Sequence, residues 1–202
     1  MNNLISNFVN KAKRSPAVLI YWKISGSKIP PPHIYKQFVL KKYAKDFSLK
    51  SLVETGTYKG DMIEALKKTF DKLTSIELSE FYYKNAVNKF KSDKHISIVL
   101  GDSGKEIKKL LKELKAPALF WLDGHFSGGK TAKTKVNTPV IDELKAILSH
   151  KLSGHVILID DARLFNGRED YPKVNQIRKM IKGLKYNLEV KDDIIRITPA
   201  KD

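Results

Sequence analysis

The spacing of apolar positions changes period repeatedly along this chain. SLVET (51–55), LTSIE (73–77), ISIVL (96–100), ALFWLD (118–123) and HVILID (155–160) are short apolar runs of strand length. Between them DMIEALKKTF (61–70), SEFYYKNAVNKF (79–90), SGKEIKKLLKEL (103–114) and PVIDELKAILSH (139–150) carry apolar residues at helical spacing, and VNQIRKMIKGL (174–184) adds one more helix. YNLEV (186–190) and IIRIT (194–198) flank a KDD turn and predict a closing hairpin. Strands alternating with helices predict a mostly parallel sheet covered on both faces. The expectation is an α/β, doubly wound, seven-stranded Rossmann-like sheet with a C-terminal antiparallel hairpin.

Upstream, HIYKQFVLKKYAKDF (33–47) has apolar residues at Ile34, Phe38, Val39 and Tyr43 and predicts a helix. Three consecutive prolines, Pro30 to Pro32, mark the join to an N-terminal arm. The predicted division is an arm and join over 1–32 and one domain over 33–202. In the arm, Leu4, Ile5, Phe8 and Val9 share a helical face beside Lys11, Lys13 and Arg14. Such a face suits packing on the protein's own core or an interfacial helix. AVLIYW (17–22) is far below the roughly twenty residues needed to span a bilayer.

Ligands of doubly wound sheets bind beyond the carboxyl ends of the strands. Those ends read Glu54–Thr55–Gly56, Glu77, Gly101–Asp102–Ser103, Asp123–Gly124–His125 and Asp160–Asp161. Each of the five ends in a carboxylate or runs straight into one. ETGTYKG (54–60) lacks the Gly-Lys-Ser/Thr ending of a phosphate loop and the spacing of a dinucleotide fingerprint. Glu54 would repel a pyrophosphate but attract a cationic ligand, and Gly56 permits close backbone approach. Glu77, 21 residues beyond Gly56, suits a carboxylate accepting from a ribose diol. Asp102 could meet an adenine amino group, with Ser103 as neighbour or helix cap. Together these residues describe a site for S-adenosylmethionine.

The order of ETGTYKGD, SIELSE, LGDSG, FWLDGH and LIDDA, spread over about residues 50–199, resembles a class I S-adenosylmethionine-dependent methyltransferase. Tyr58 stands where that family commonly has a glycine. The likeness is greatest to the macrocin and catechol O-methyltransferase-like groups, which are metal-dependent. It implies that Glu54, Thr55, Gly56, Thr57, Gly60, Glu77, Asp102, Ser103 and Asp123 hold the cofactor. Asp123, Asp160 and Asp161 would hold Mg²⁺ or a similar hard divalent ion, although the related enzymes often have Asp–Asn where this chain has Asp160–Asp161. Methyl transfer to oxygen needs the acceptor deprotonated by a base or polarised by a metal. Asp161 and His125 are the candidate bases, with Asp123 beside them. The stretch Phe126–Thr138, with Lys130, Lys133 and Lys135, reads as a lid for an anionic acceptor or as a solvated loop. Arg163 and Arg168 are further candidates for that contact.

Charge widens the choice of partner. The net charge is +16, and over residues 1–50 ten Lys or Arg stand against Asp46 alone. Such a field attracts nucleic acid, anionic lipid or phosphorylated substrates. A nucleic-acid methyltransferase is therefore the rival reading, and a non-catalytic basic module the third. Amino-methylating enzymes of the first kind usually carry Asp/Asn-Pro-Pro-aromatic after the fourth strand, where this chain reads LDGHF. A binding module needs no carboxylate cluster. The leading expectation is O-methylation of a small-molecule or glycan hydroxyl. There are no cysteines, which fits a cytoplasmic protein, and the basic arm suits peripheral association with an anionic membrane. Oligomeric state is not legible in the sequence.

Overall fold

A computed structural model describes residues 16–124 and 138–200. The arm face of Leu4, Ile5, Phe8 and Val9, His125, and the lid residues up to 137 lie outside them. Seven strands form one sheet in the order β3-β2-β1-β4-β5-β7-β6. They are β1 (Ser51–Thr55), β2 (Lys72–Glu77), β3 (Ile96–Leu100), β4 (Leu119–Leu122), β5 (Val156–Ile159), β6 (Tyr186–Lys191) and β7 (Ile194–Pro199). β1 to β5 pair in parallel, while β7 runs antiparallel to β5 and β6 antiparallel to β7. The helices are α1 (Pro16–Ile24), α2 (His33–Asp46), α3 (Asp61–Leu66), α4 (Glu80–Phe90), α5 (Ser103–Glu113), α6 (Val140–Leu148) and α7 (Val174–Met180).

The central strands are apolar at nearly every position because both faces are covered. Successive side chains alternate faces. Phe120, Leu122, Ile157 and Ile159 therefore enter one core with Ile107 of α5 and Leu144 of α6. Leu119, Trp121, Val156 and Leu158 enter the other with Leu40 of α2 and Ile63 of α3. The outer strands β3 and β6 are only partly buried. Helices end sooner than the periodicity predicts. α3 stops at Leu66 and α7 at Met180, yet Phe70 and Ile181 remain buried in the core.

The buried face of α2 is rotated from the one its apolar residues predict. On α2 the buried residues are Val39, Leu40 and Ala44, whereas Phe38 is 55% exposed. Residues 36, 40 and 44 share one line of the helix at i, i+4 spacing, so the rotation turns Lys36 inward. Upstream, α1 is tied down by Trp22. Its ring packs on Tyr35 at 4.6 Å, and its Nε1 donates to Lys28 O. Ile20, Tyr21 and Ile24 of α1 are exposed, and no described helix is long and apolar enough to cross a membrane.

Candidate active site

The strand order reverses between β1 and β4: β2 and β3 extend the sheet to one side of β1, and β5 and β7 to the other. Backbone ladders carry past the strand ends and fix the turns beyond them. Gly56 N donates to Ile76 O at 2.9 Å, and Gly101 N to Glu77 O at 2.9 Å. Asp123 N donates to Thr55 O at 3.1 Å, and Asp160 N to Leu122 O at 3.1 Å. Glu54, Glu77, Asp102, Asp123, Asp160 and Asp161 are thereby set along one edge of the sheet, at the ends of β1 to β5. Gly56, with φ +87°, lies against the β4 turn so closely that a Cβ would stand 2.6 Å from Asp123 O. The first glycine is required by the backbone of the neighbouring loop.

On the β1–β3 side the carboxyls are met by neutral donors. Glu54 is buried, and its Oε2 accepts from Ser75 Oγ at 2.5 Å. Ser75 Oγ lies 2.6 Å from Thr57 Oγ1, a short chain of hydroxyls beneath the glycine turn. Burial pushes Glu54 up to about 8; the Ser75 hydroxyl opposes this, and Asp123 and Glu77 add to it. Glu77 accepts from two backbone amides, Tyr58 N on Oε2 at 2.8 Å and Ser79 N on Oε1 at 2.8 Å. Gly60 closes the turn by donating from its N to Thr57 O at 2.8 Å, and its α-carbon faces the Phe90 ring. Asp102, rather than Ser103, caps α5 by accepting from Gly104 N at 3.0 Å. Ser103 is buried as the first residue of that helix.

The β4–β5 side is met by cations. Lys36 of α2 forms an ion pair with Asp160 Oδ2 and lies 3.8 Å from Asp161 Oδ1. Asp160 Oδ1 accepts from Asp161 N at 2.8 Å. Burial lifts Asp160 to about 7, with Asp123 and Asp161 adding to the rise and Lys36 opposing it. Asp161 adopts a left-handed backbone, φ +55°, and its Oδ1 accepts from Arg163 at 2.8 Å. Arg163 also pairs with Asp193, and Arg163 N donates to Asp193 Oδ1 at 2.8 Å. Asp193 stands in the β6–β7 turn, where Asp192 and Asp193 have φ of 51° and 63°, as a tight two-residue hairpin requires. The hairpin tip thus reaches the site. Arg163, a candidate acceptor contact by sequence, is engaged by the protein's own carboxylates.

Between the two sides sits Glu143 of α6, 1% exposed. Burial raises it to about 7 against the hydroxyls of Ser103 and Thr55. Its Oε1 and Thr55 Oγ1 both lack a partner of hydrogen-bonding geometry. A cavity of about 10 Å³ touching Asp123, Glu143, Asp160 and Tyr171 has room for about one water. Lys36, Glu143 and Asp193 stand in no motif. Of the three, Glu143 carried a signal in the sequence, being in line with Val140 and Ile147. A charge on the apolar stripe of a helix must find a partner inside.

The residues fit S-adenosylmethionine. Among the described residues, a buried carboxyl with no cation bonded to it and a carboxylate held by amides beside a glycine turn share one strand edge. They do not fit a divalent ion as they stand. Both Asp160 oxygens and one of Asp161 are already engaged, and Lys36 stands among them. Among the described residues no three His, Asp or Glu side chains are gathered to hold a metal.

No family model matches the sequence, and no curated protein matches it. Solved structures do match in fold. The S-adenosylhomocysteine-bound methyltransferase PaMTH1 of Podospora anserina is 15% identical, TM-score 0.61, over 100% of this chain and 97% of that one. An O-methyltransferase of Bacillus cereus with S-adenosylhomocysteine is 15% identical, TM-score 0.60, covering 94% and 91%. The O-methyltransferase TomG of Streptomyces achromogenes with S-adenosylmethionine is 15% identical, TM-score 0.60, covering 84% and 81%. The architecture is the class I S-adenosylmethionine-dependent methyltransferase fold.

Proposed function

We propose that this protein is an S-adenosylmethionine-dependent O-methyltransferase acting on a hydroxyl of a small molecule or glycan. The observation that carries the reading is the strand edge itself: donor-side carboxyls around a glycine turn meet an acceptor-side carboxylate cluster where the strand order reverses. When bound, S-adenosylmethionine supplies a methyl group on a sulfonium, ready for in-line displacement.

The chain's residues do the positioning. Glu54, buried and with no cation bonded to it, favours a positively charged ligand. Glu77 presents a carboxylate whose orientation is locked by Tyr58 N and Ser79 N, suited to a ribose diol. The loop Thr55–Gly60 brings backbone close to the ligand, with Asp102 and Ser103 bounding its far side. On the acceptor side Asp123 and Asp161 face the reacting oxygen. In transfer to oxygen the Asp161 carboxylate would take the acceptor's hydroxyl proton. His125, directly after the β4 turn, is the competing base.

Mass spectrometry of acceptor pools incubated with isotopically labelled cofactor tests the reaction. Label found only in RNA would replace this reading with the nucleic-acid one. The exposed Ile20, Tyr21 and Ile24 beside Lys23 and Lys28 support docking of the basic arm on an anionic membrane. Co-sedimentation with phosphatidylglycerol vesicles checks that, and no binding at low salt would dismiss it.

A further inference from the structure

Lys36 is a largely enclosed cation that neither the sequence motifs nor the proposed chemistry uses. Its side chain is 13% exposed, and a lysine so enclosed needs a permanent partner. It reaches the sheet edge because Leu40 and Ala44, on its own line of α2, are buried on the sheet. Its ammonium pairs with Asp160 and lies 3.8 Å from Asp161 Oδ1, and Asp123 lines the same small cavity as Asp160. These are the three carboxylates that the sequence offers to a divalent ion.

Two cations cannot share that space cheaply. A divalent ion bound to Asp160 and Asp161 would stand at contact distance from the ammonium, in surroundings too dry to screen the repulsion. An ammonium has three donors on one atom. Asp160 engages one, which leaves donors to aim at a further oxygen.

We propose that Lys36 takes the place of a metal ion in this protein: its ammonium sits among Asp123, Asp160 and Asp161 and donates a hydrogen bond to the acceptor's oxygen. The proposal rests on the methyltransferase reading for what that oxygen is. It predicts a site that works in the presence of chelator and opens to metal only when the lysine is removed.

The test uses the full chain, Mn²⁺ as probe and electron paramagnetic resonance as readout. Wild type should leave Mn²⁺ free at millimolar concentration. Lys36→Met should bind about one ion at least tenfold more tightly than wild type, and Lys36→Met with Asp160→Asn should lose it again. Lys36→Arg should behave as wild type. Calorimetry with S-adenosylhomocysteine accompanies each variant, and affinities within about twofold of wild type show that the fold and donor side survive. With labelled cofactor and an acceptor pool, wild-type transfer should persist in excess chelator. Lys36→Met should cut it at least about 100-fold without weakening S-adenosylhomocysteine, and Lys36→Arg should recover part of it. Tight Mn²⁺ binding by wild type, or none by Lys36→Met, overturns the proposal. Failure of wild type to bind S-adenosylhomocysteine instead overturns the methyltransferase reading, whatever Mn²⁺ does.

Discussion

The two halves of the strand edge satisfy their carboxyls by opposite means. On the β1–β3 side Glu54 and Glu77 rest on hydroxyls and backbone amides, and among the described residues no cation is bonded to either. On the β4–β5 side Asp160 and Asp161 are paired with Lys36 and Arg163. A half held by neutral donors retains its appetite for a cationic ligand. A half already neutralised is arranged for a neutral or anionic one. One row of acids thus presents two kinds of chemistry, set by what touches each acid.

The strongest way to break this division is at the seam between the halves. Gly56→Ala places a Cβ 2.6 Å from Asp123 O, at a φ of +87°. Chemical denaturation should show a loss of at least about 2 kcal/mol, and calorimetry no detectable S-adenosylhomocysteine binding. Retained affinity would mean that the turn does not touch the cofactor. Next comes Glu77→Ala, which removes the amide-locked carboxylate. Affinity for S-adenosylhomocysteine should fall by about 100-fold, the worth of hydrogen bonds to a charged group, and an unchanged value removes Glu77 from the site.

Arg163→Met should separate the halves most clearly. It strands the buried Asp193, and since the guanidinium is partly exposed the cost should be about 2 kcal/mol of stability. Cofactor affinity should stay within about twofold. A large loss of affinity would show that the two halves do not act separately.

A further test is a pH dependence on the β1–β3 side. Glu54 is pushed from 4.5 to about 8 by burial. Its folded-state value lies above its unfolded one, so its stabilising contribution is complete below about 4.5 and is lost as pH rises to about 8. Thermal melts of the free protein should therefore decline across that window, and Glu54→Gln should flatten the decline. A cationic cofactor favours the ionised form, so binding should release a proton. Affinity should rise by up to about tenfold per pH unit below about 8. Titrations in buffers of different ionisation heat measure the proton directly, and zero release would place the ligand's positive charge elsewhere.

The succession of strands and helices, the antiparallel hairpin and the carboxylates at the strand ends were all legible in the sequence. They depend on hydrophobic period and on turn residues, which are local signals. The partners of those carboxylates were not. Apolar residues at 34, 38, 39 and 43 define a plausible stripe on α2, but Phe38 lies outside it and Leu40 and Ala44 inside. That rotation of the helix decides where Lys36 points, and it is set by packing against a sheet whose strands come later in the chain. Glu143 stands on the stripe of α6 in plain view. Its burial becomes intelligible only once Thr55 and Ser103 are seen facing it. Asp193 read as a turn residue, which it is, and nothing in KDD says that the turn would close on Arg163.

The contacts also differ in how much chain they span. Glu54 meets Ser75 across 21 residues and Glu77 meets Tyr58 across 19, while Lys36 meets Asp160 across 124 and Tyr35 meets Asp192 across 157. Closing a longer loop costs more entropy and comes later in folding. The β1–β3 side can therefore form from the first half of the chain, whereas the β4–β5 side waits for the last strands to return to α2. Partial opening should run in reverse and release α2 first. Amide exchange faster in α2 than in β1 and β2 is the expected signature: on the proposed reading, a protein that would keep its grip on the methyl donor after letting go of the means to use it.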